Sequence, residues 1–137
     1  MNIGNIALGL HPVLLAPMED VTDIGFRLLC KQLGAGMVYS EFVSCDALTR
    51  MVNKSLQKLA VCDEERPVAI QIYGKDPKEM ARAAKIVIDR SHPDILDNNY
   101  KFHTHHPFIT CPTGLLYKHY NTLIFIFATI QFYCFQI

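Results

Sequence analysis

Four places in this 137-residue chain set polar or conformationally special residues directly after a short apolar run. Pro17-Met18-Glu19-Asp20 follows the run at 13–16, Ser40-Glu41 follows Met37-Val38-Tyr39, Gln71 and Gly74 close the stretch 67–74, and Asp97-Asn98-Asn99 follows Ile95-Leu96. Carboxylates in such places accept hydrogen bonds or take up protons, while the Gln71 amide can both donate and accept. The types suit the holding of a polar ligand by directed hydrogen bonds. No G-x-G-x-x-G follows the first run and no P-loop occurs, which disfavours a nucleotide-binding Rossmann unit. His103, His105, His106, Cys111 and His119 crowd the later chain, but their spacing matches no standard zinc pattern and no metal site is expected. Each residue also has a plain reading. Pro17 can simply stop a strand, Gln71 can be an ordinary strand residue, and Glu41 can be a solvated charge or a cap.

The elements that must carry these residues alternate. The run 13–16 reads as a buried strand stopped by Pro17. Residues 23–33 read as a helix, with Ile24, Phe26, Leu28, Leu29 and Leu33 mostly at three- and four-residue spacing, Thr22 or Asp23 as cap and Gly34 as stop. A second strand covers 37–40, and a less regular helix covers 45–59. The stretch 67–74 is the clearest strand. Asp76-Pro77-Lys78-Glu79 then opens a helix that runs to about Asp89, with Asp76 as N-cap and Glu79 placed to close a capping box. A fourth strand covers 93–98. Strands alternating with helices imply a parallel sheet with chemistry at the C-terminal strand ends, and a (β/α) barrel is favoured.

Composition divides the chain. Half of the residues are hydrophobic and 19% are charged, enough for a core and against disorder. Lysine plus arginine equals aspartate plus glutamate at 13 each, so net charge signals no nucleic-acid binder. All 13 acidic residues lie within 1–99, whereas residues 100–137 hold four of the six histidines and ten of the fourteen Phe and Tyr. Five widely spaced cysteines without a CxxC pair, and a start lacking a signal-like pattern, lead to an expectation of a reducing cytoplasm.

At this point the chain resembles a family. Ala16-Pro17-Met18-Glu19-Asp20-Val21-Thr22-Asp23 followed by Phe26-Arg27 is similar to the opening signature of the tRNA-dihydrouridine synthases. Gly34-Ala35-Gly36 running into Ser40-Glu41, then Gln71-Ile72-Tyr73-Gly74 with Asp76-Pro77, and Pro93-Asp94-Ile95-Leu96-Asp97 continue the likeness in order, over residues 3–99. The resemblance implies an FMN-dependent barrel that uses NADPH to reduce selected tRNA uridines to dihydrouridine. Reduced flavin gives hydride to one carbon of the uracil double bond and a cysteine protonates the other. It further implies Pro17, Met18, Glu19 and Gln71 as flavin-side residues, the backbone of the Pro-Met turn and the Gln71 amide meeting the ring edge. Asn99 is implied as a substrate-side residue.

The likeness stops inside a motif. The family's Asp-x-Asn-x-Gly-Cys-Pro aligns on Asp97 and Asn99, but Lys101 then takes the glycine position and Phe102 the cysteine position. A benzyl group has no proton to give, and Cys111-Pro112 comes nine residues late. No catalytic residue is therefore expected in this chain. The expected fold is α/β: an incomplete (β/α)8 TIM barrel of about four strands and three helices over 1–99, plus an irregular apolar tail over 100–137. A complete barrel takes about 250 residues. The break, the loss of acids and the aromatic excess lead us to expect that the tail is out-of-frame translation, which resequencing codons 95–105 would test. The apolar stretch 121–137 is marginal for a membrane anchor, and none is expected. Uncovered strand edges favour self-association. Two readings compete: a fragment of another FMN barrel oxidoreductase, and a non-catalytic interaction protein.

Overall fold

The structure, a computed structural model, describes residues 1–100. The chain opens with a hairpin of β1 (Asn2–Ile3) and β2 (Ile6–Ala7), paired antiparallel around Gly4-Asn5, with Gly4 at φ +56°. The sequence reading had no element here, although Gly-Asn between apolar residues is a hairpin signal. Then come β3 (Leu14–Leu15), α1 (Ile24–Gln32), β4 (Met37–Tyr39), β5 (Val43–Ser44), α2 (Cys45–Thr49), α3 (Asn53–Gln57), β6 (Val68–Gly74), α4 (Pro77–Ser91) and β7 (Ile95–Tyr100).

The sheet is parallel, and β3, β4, β6 and β7 lie in chain order, with the short β5 continuing the β4 side of β6. β3 pairs with β4, β4 with β6, and β6 with β7, each in parallel register. β5 also pairs with β6, as Val43 opposite Ile72. Tyr39 faces Ala69, so four residues of the second strand span three of its neighbour. That extra residue is a bulge, falling at the Glu41 stretch.

The two faces of the sheet bury different residues because side chains alternate along a strand. Ile70 and Ile72 pack with Leu48, Leu59, Ala83 and Val87, so α2 and α4 cover one face. Met37 and Ala69 pack with Leu8, Leu14, Tyr39 and Ile95 on the other, against the N-terminal hairpin. That second face carries Gln71 and Asp97 nearer the C-terminal edge, in register with each other.

The local capping rules place most helix ends. Asp23 accepts the Phe26 N–H at 2.8 Å and opens α1, and Gly34 at φ +98° stops it. Asp76 caps α4 through the Lys78 N–H at 2.8 Å, but no capping box forms: Glu79 instead bonds Arg82 at 2.6 Å. α4 also runs past Asp89 to Ser91, and His92 ends it in a left-handed conformation.

Two expectations need correction. The helix expected over 45–59 is two short helices, broken where Met51 takes φ +58°. One unbroken helix would separate Leu48 and Leu59 by about 16 Å along its axis, whereas both belong to a single core cluster. The apolar stripe of α1 does not face inward either. Ile24, Phe26, Leu29 and Leu33 are exposed, and the one fully buried residue of the helix is Arg27.

Gly74 ends β6 under a tight contact. A Cβ there would meet Met80 Cγ at 2.9 Å and Cys45 Cβ at 3.2 Å, where α2 and α4 close over the strand. Gly74→Ala is expected to lower unfolding stability by about 1–3 kcal/mol, as overpacking does, measured by urea denaturation. An unchanged midpoint would mean that the helices do not approach the strand this closely.

Candidate functional site

All four parallel strands end on one edge of the sheet, and the residues singled out from sequence gather there. The first loop is a compact turn. Pro17 is buried and stops β3. The Met18 N–H donates to Thr22 Oγ1 at 3.0 Å, and that hydroxyl donates back to the Met18 carbonyl at 2.9 Å. The N–H groups of Val21 and Thr22 reach the same carbonyl. The backbone groups of Met18 that the family likeness turns toward a ligand are thus engaged in closing the loop. Asp20 takes φ +57° within it. Thr22, fully buried, was no candidate beyond a helix cap. Its signal was a hydroxyl four residues after the turn's first peptide, a common local competitor for backbone bonds.

Glu19 points into a charged group. Its carboxylate pairs with Lys58 Nζ, which also lies 2.8 Å from Glu41 Oε2. Lys54 stands 3.8 Å from Asp20. Glu19, Asp20 and Glu41 bring carboxylate oxygens within 4.8 Å of one another, and the two lysines answer most of that charge. Burial opposes the charge on Lys58, yet the two carboxylates outweigh it and raise its pKa. A cavity of about 260 Å³ opens beside this group, with Asp23, Arg27 and Gln57 also in its wall.

Gln71 is placed differently. Its Nε2 donates to Asp97 Oδ2 at 2.7 Å across the β6–β7 register, while its Oε1 is shielded and has no hydrogen-bond partner. Tyr39 lies on the same face. Burial first, and then the Asp97 carboxylate, push its hydroxyl well above the ordinary tyrosine value, so it stays a neutral phenol at any physiological pH. An unmatched buried acceptor is a cost of about 1–3 kcal/mol that a donor would remove. The Gln71 oxygen therefore fits the imide N–H edge of a flavin ring; the engaged backbone of Met18 does not fit it as arranged. Asn99 lies opposite Tyr73 on β7, half-buried.

Behind the first loop sits a buried ion pair that sequence reading did not find. Arg27 Nε and Nη2 meet Glu65 Oε2 and Oε1 at 2.5 and 3.0 Å. Nη1 also donates to the Thr22 carbonyl and Nη2 to the Ala60 carbonyl, each at 2.8 Å. The pair anchors the loop to the segment before β6. Arg27 belonged to the familiar motif; Glu65 is 38 residues away and carried no local signal.

Among the described residues, no cysteine sits where Gln71 and Asp97 do. Cys45 is buried in the helix-covered core, where desolvation pushes its thiol up to about 11 and keeps it protonated. Cys30 lies on α1, and Cys62 precedes Glu65. Phe102 and Cys111 lie outside the described residues.

Comparison with known proteins decides the family. The dihydrouridine synthase family model matches residues 14–100. The chain belongs to the dihydrouridine synthase family. It is 40% identical over 89 residues to a probable tRNA-dihydrouridine synthase of Aquifex aeolicus, covering 64% of this chain and 28% of that protein. It is 44% identical over 89 residues to tRNA-dihydrouridine synthase B of Xanthomonas axonopodis, covering 65% and 26%. The corresponding protein of Escherichia coli K12 is 39% identical over 99 residues, covering 72% and 30%. The chain thus spans under a third of the length of these relatives. The family match begins in β3 and ends with β7, so it takes in all four parallel strands, and Pro17, Met18, Glu19, Gln71 and Asn99 fall within it.

Proposed function

We propose that residues 1–99 are the first half of the (β/α)8 barrel of a tRNA-dihydrouridine synthase, and that the parent reaction is FMN-dependent, NADPH-driven reduction of a tRNA uridine to 5,6-dihydrouridine. The parallel strands β3, β4, β6 and β7 in chain order, with the short β5 beside β6 and helices over one face, support the barrel reading. The observation that carries the flavin reading is the buried, unpartnered Oε1 of Gln71 beside Asp97. Bound FMN would supply the hydride. Gln71 would accept a hydrogen bond from the ring's N–H edge, Pro17 and Met18 would form the wall at the end of β3, and Asn99 would stand on the substrate side. Glu19, paired with Lys58, would shape the rim rather than touch the ring.

This chain alone is proposed to be without synthase activity, since Phe102 takes the position of the proton-donating cysteine and residues 1–100 offer only part of a flavin site. The segment 100–137 is proposed to be a non-family tail, and uncovered strand edges, together with the exposed α1 face, to favour self-association. Leu29 and Leu33 there are 49% and 79% accessible, and Leu10 and Val13, ahead of β3, are 87% and 69% accessible. No described helix is long and apolar enough to cross a membrane. A cytoplasmic setting is proposed with the tRNA substrate, to which the three unbridged described cysteines lend support.

The test is a titration of FMN into the purified chain, followed by flavin fluorescence, with dihydrouridine formation assayed in parallel on unmodified tRNA and NADPH. Weak FMN binding, about 2- to 12-fold weaker still in Gln71→Met for the loss of one hydrogen bond, and no dihydrouridine are expected. Turnover of tRNA would overturn the proposed inactivity. Binding indifferent to Gln71 would remove the flavin assignment.

A further inference from the structure

Gln71 and Asp97 face each other in register on adjacent parallel strands, and their chemistry is unequal. An ionised carboxylate only accepts hydrogen bonds, whereas a primary amide has one end that donates and one that accepts. With Nε2 held on Asp97 Oδ2 at 2.7 Å, the amide oxygen is turned away from the carboxylate, where it is shielded but meets no hydrogen-bond donor. The reverse orientation would set the Gln71 oxygen against the Asp97 oxygen, acceptor against acceptor.

We infer that Asp97 is a positioning residue: it fixes the Gln71 amide with its buried oxygen turned away from the carboxylate, so that the site selects a ligand edge presenting an N–H rather than an acceptor. The ligand class, a planar imide such as the pyrimidine edge of a flavin, rests on the function proposed above; the orientation of the amide does not. Asn in place of Asp97 has the same shape but offers both a donor and an acceptor. The amide could then settle either way round, and selection would fade.

The first experiment reads the orientation without any ligand. The chain contains five glutamines, so selective ¹⁵N-glutamine labelling of the full chain yields five side-chain amide pairs, and Gln71→Met identifies one by its disappearance. One Gln71 proton should lie downfield of the other four residues' signals and be protected from exchange with water. The displacement should be lost in Asp97→Asn while the backbone spectrum stays folded. A Gln71 amide in the wild-type chain that is neither shifted nor protected would overturn the inference, whatever the variants do.

The second experiment is a double-mutant cycle with FMN as probe. Asp97→Asn should weaken FMN binding about twofold in the wild-type background, as expected when only about half of the amides keep the competent orientation, and leave it unchanged in Gln71→Met, because Asp97 acts through the amide. An equal loss in both backgrounds would overturn the positioning role. If the wild-type chain binds no FMN although the Gln71 signal is displaced and protected, the flavin reading fails and the Asp97–Gln71 orientation stands.

Discussion

Glu65→Ala should lower the stability of the folded chain by about 3–5 kcal/mol, the usual consequence of leaving a buried charge without its partner. Arg27 and Glu65 have side chains 3% and 0% accessible, so water cannot replace the lost carboxylate. Glu65 also accepts the Cys62 N–H at 3.0 Å, and Arg27 holds the carbonyls of Thr22 and Ala60. Small domains have only about 5–15 kcal/mol in total, so this single change should remove a large share of it. The paired replacement Arg27→Met with Glu65→Leu should recover much of the loss. Recovery should stay incomplete, by about 1–3 kcal/mol, because backbone groups that the pair satisfied are left unmatched. Urea denaturation followed by circular dichroism measures all three chains. A Glu65→Ala chain within about 1 kcal/mol of wild type would mean that the pair does not anchor the first loop.

The second large effect separates two neighbouring residues of β6. Ile70 is fully buried among Leu48, Leu59 and Val87, and Ile70→Ala should cost about 2–5 kcal/mol through lost burial and the cavity left behind. Gln71→Met should stay within about 1 kcal/mol, since it loses the bond to Asp97 but also removes an acceptor that has no partner. The contrast depends on register, because a slip of one residue would exchange the faces of every side chain in the strand. Comparable costs at both positions would show that β6 does not present Ile70 to the helices and Gln71 to the opposite face.

The alternation of strand and helix was legible because each element carries local signals. Pro17 and Gly34 stop elements, Asp23 and Asp76 cap helices, and the apolar run before Gln71 has strand length. The gathering of Pro17, Gln71 and Asp97 at one edge followed from the same pattern, since parallel strands all end on one side. What failed locally failed for tertiary reasons. The periodic residues of α1 predicted a buried stripe, yet the helix is held by Arg27, whose counter-charge lies 38 residues away. The break at Met51 had no strong helix breaker to mark it; it lets Leu48 and Leu59 share one core.

The site divides in the same way. Residue types marked Glu19 and Gln71 only as able to hold a polar ligand, because charge and hydrogen-bonding capacity belong to the side chain itself, and the family resemblance made them flavin-side candidates. Only the folded arrangement pairs Glu19 with Lys58 and turns the Met18 backbone inward onto Thr22. It also leaves one oxygen of Gln71 without a partner. Sequence by itself determined the strand–helix alternation from β3 onward, the edge on which chemistry gathers and, through its motifs, the family. Tertiary structure decided which of those polar groups are already satisfied, because a hydrogen bond or ion pair between distant residues depends on distances that no local pattern encodes.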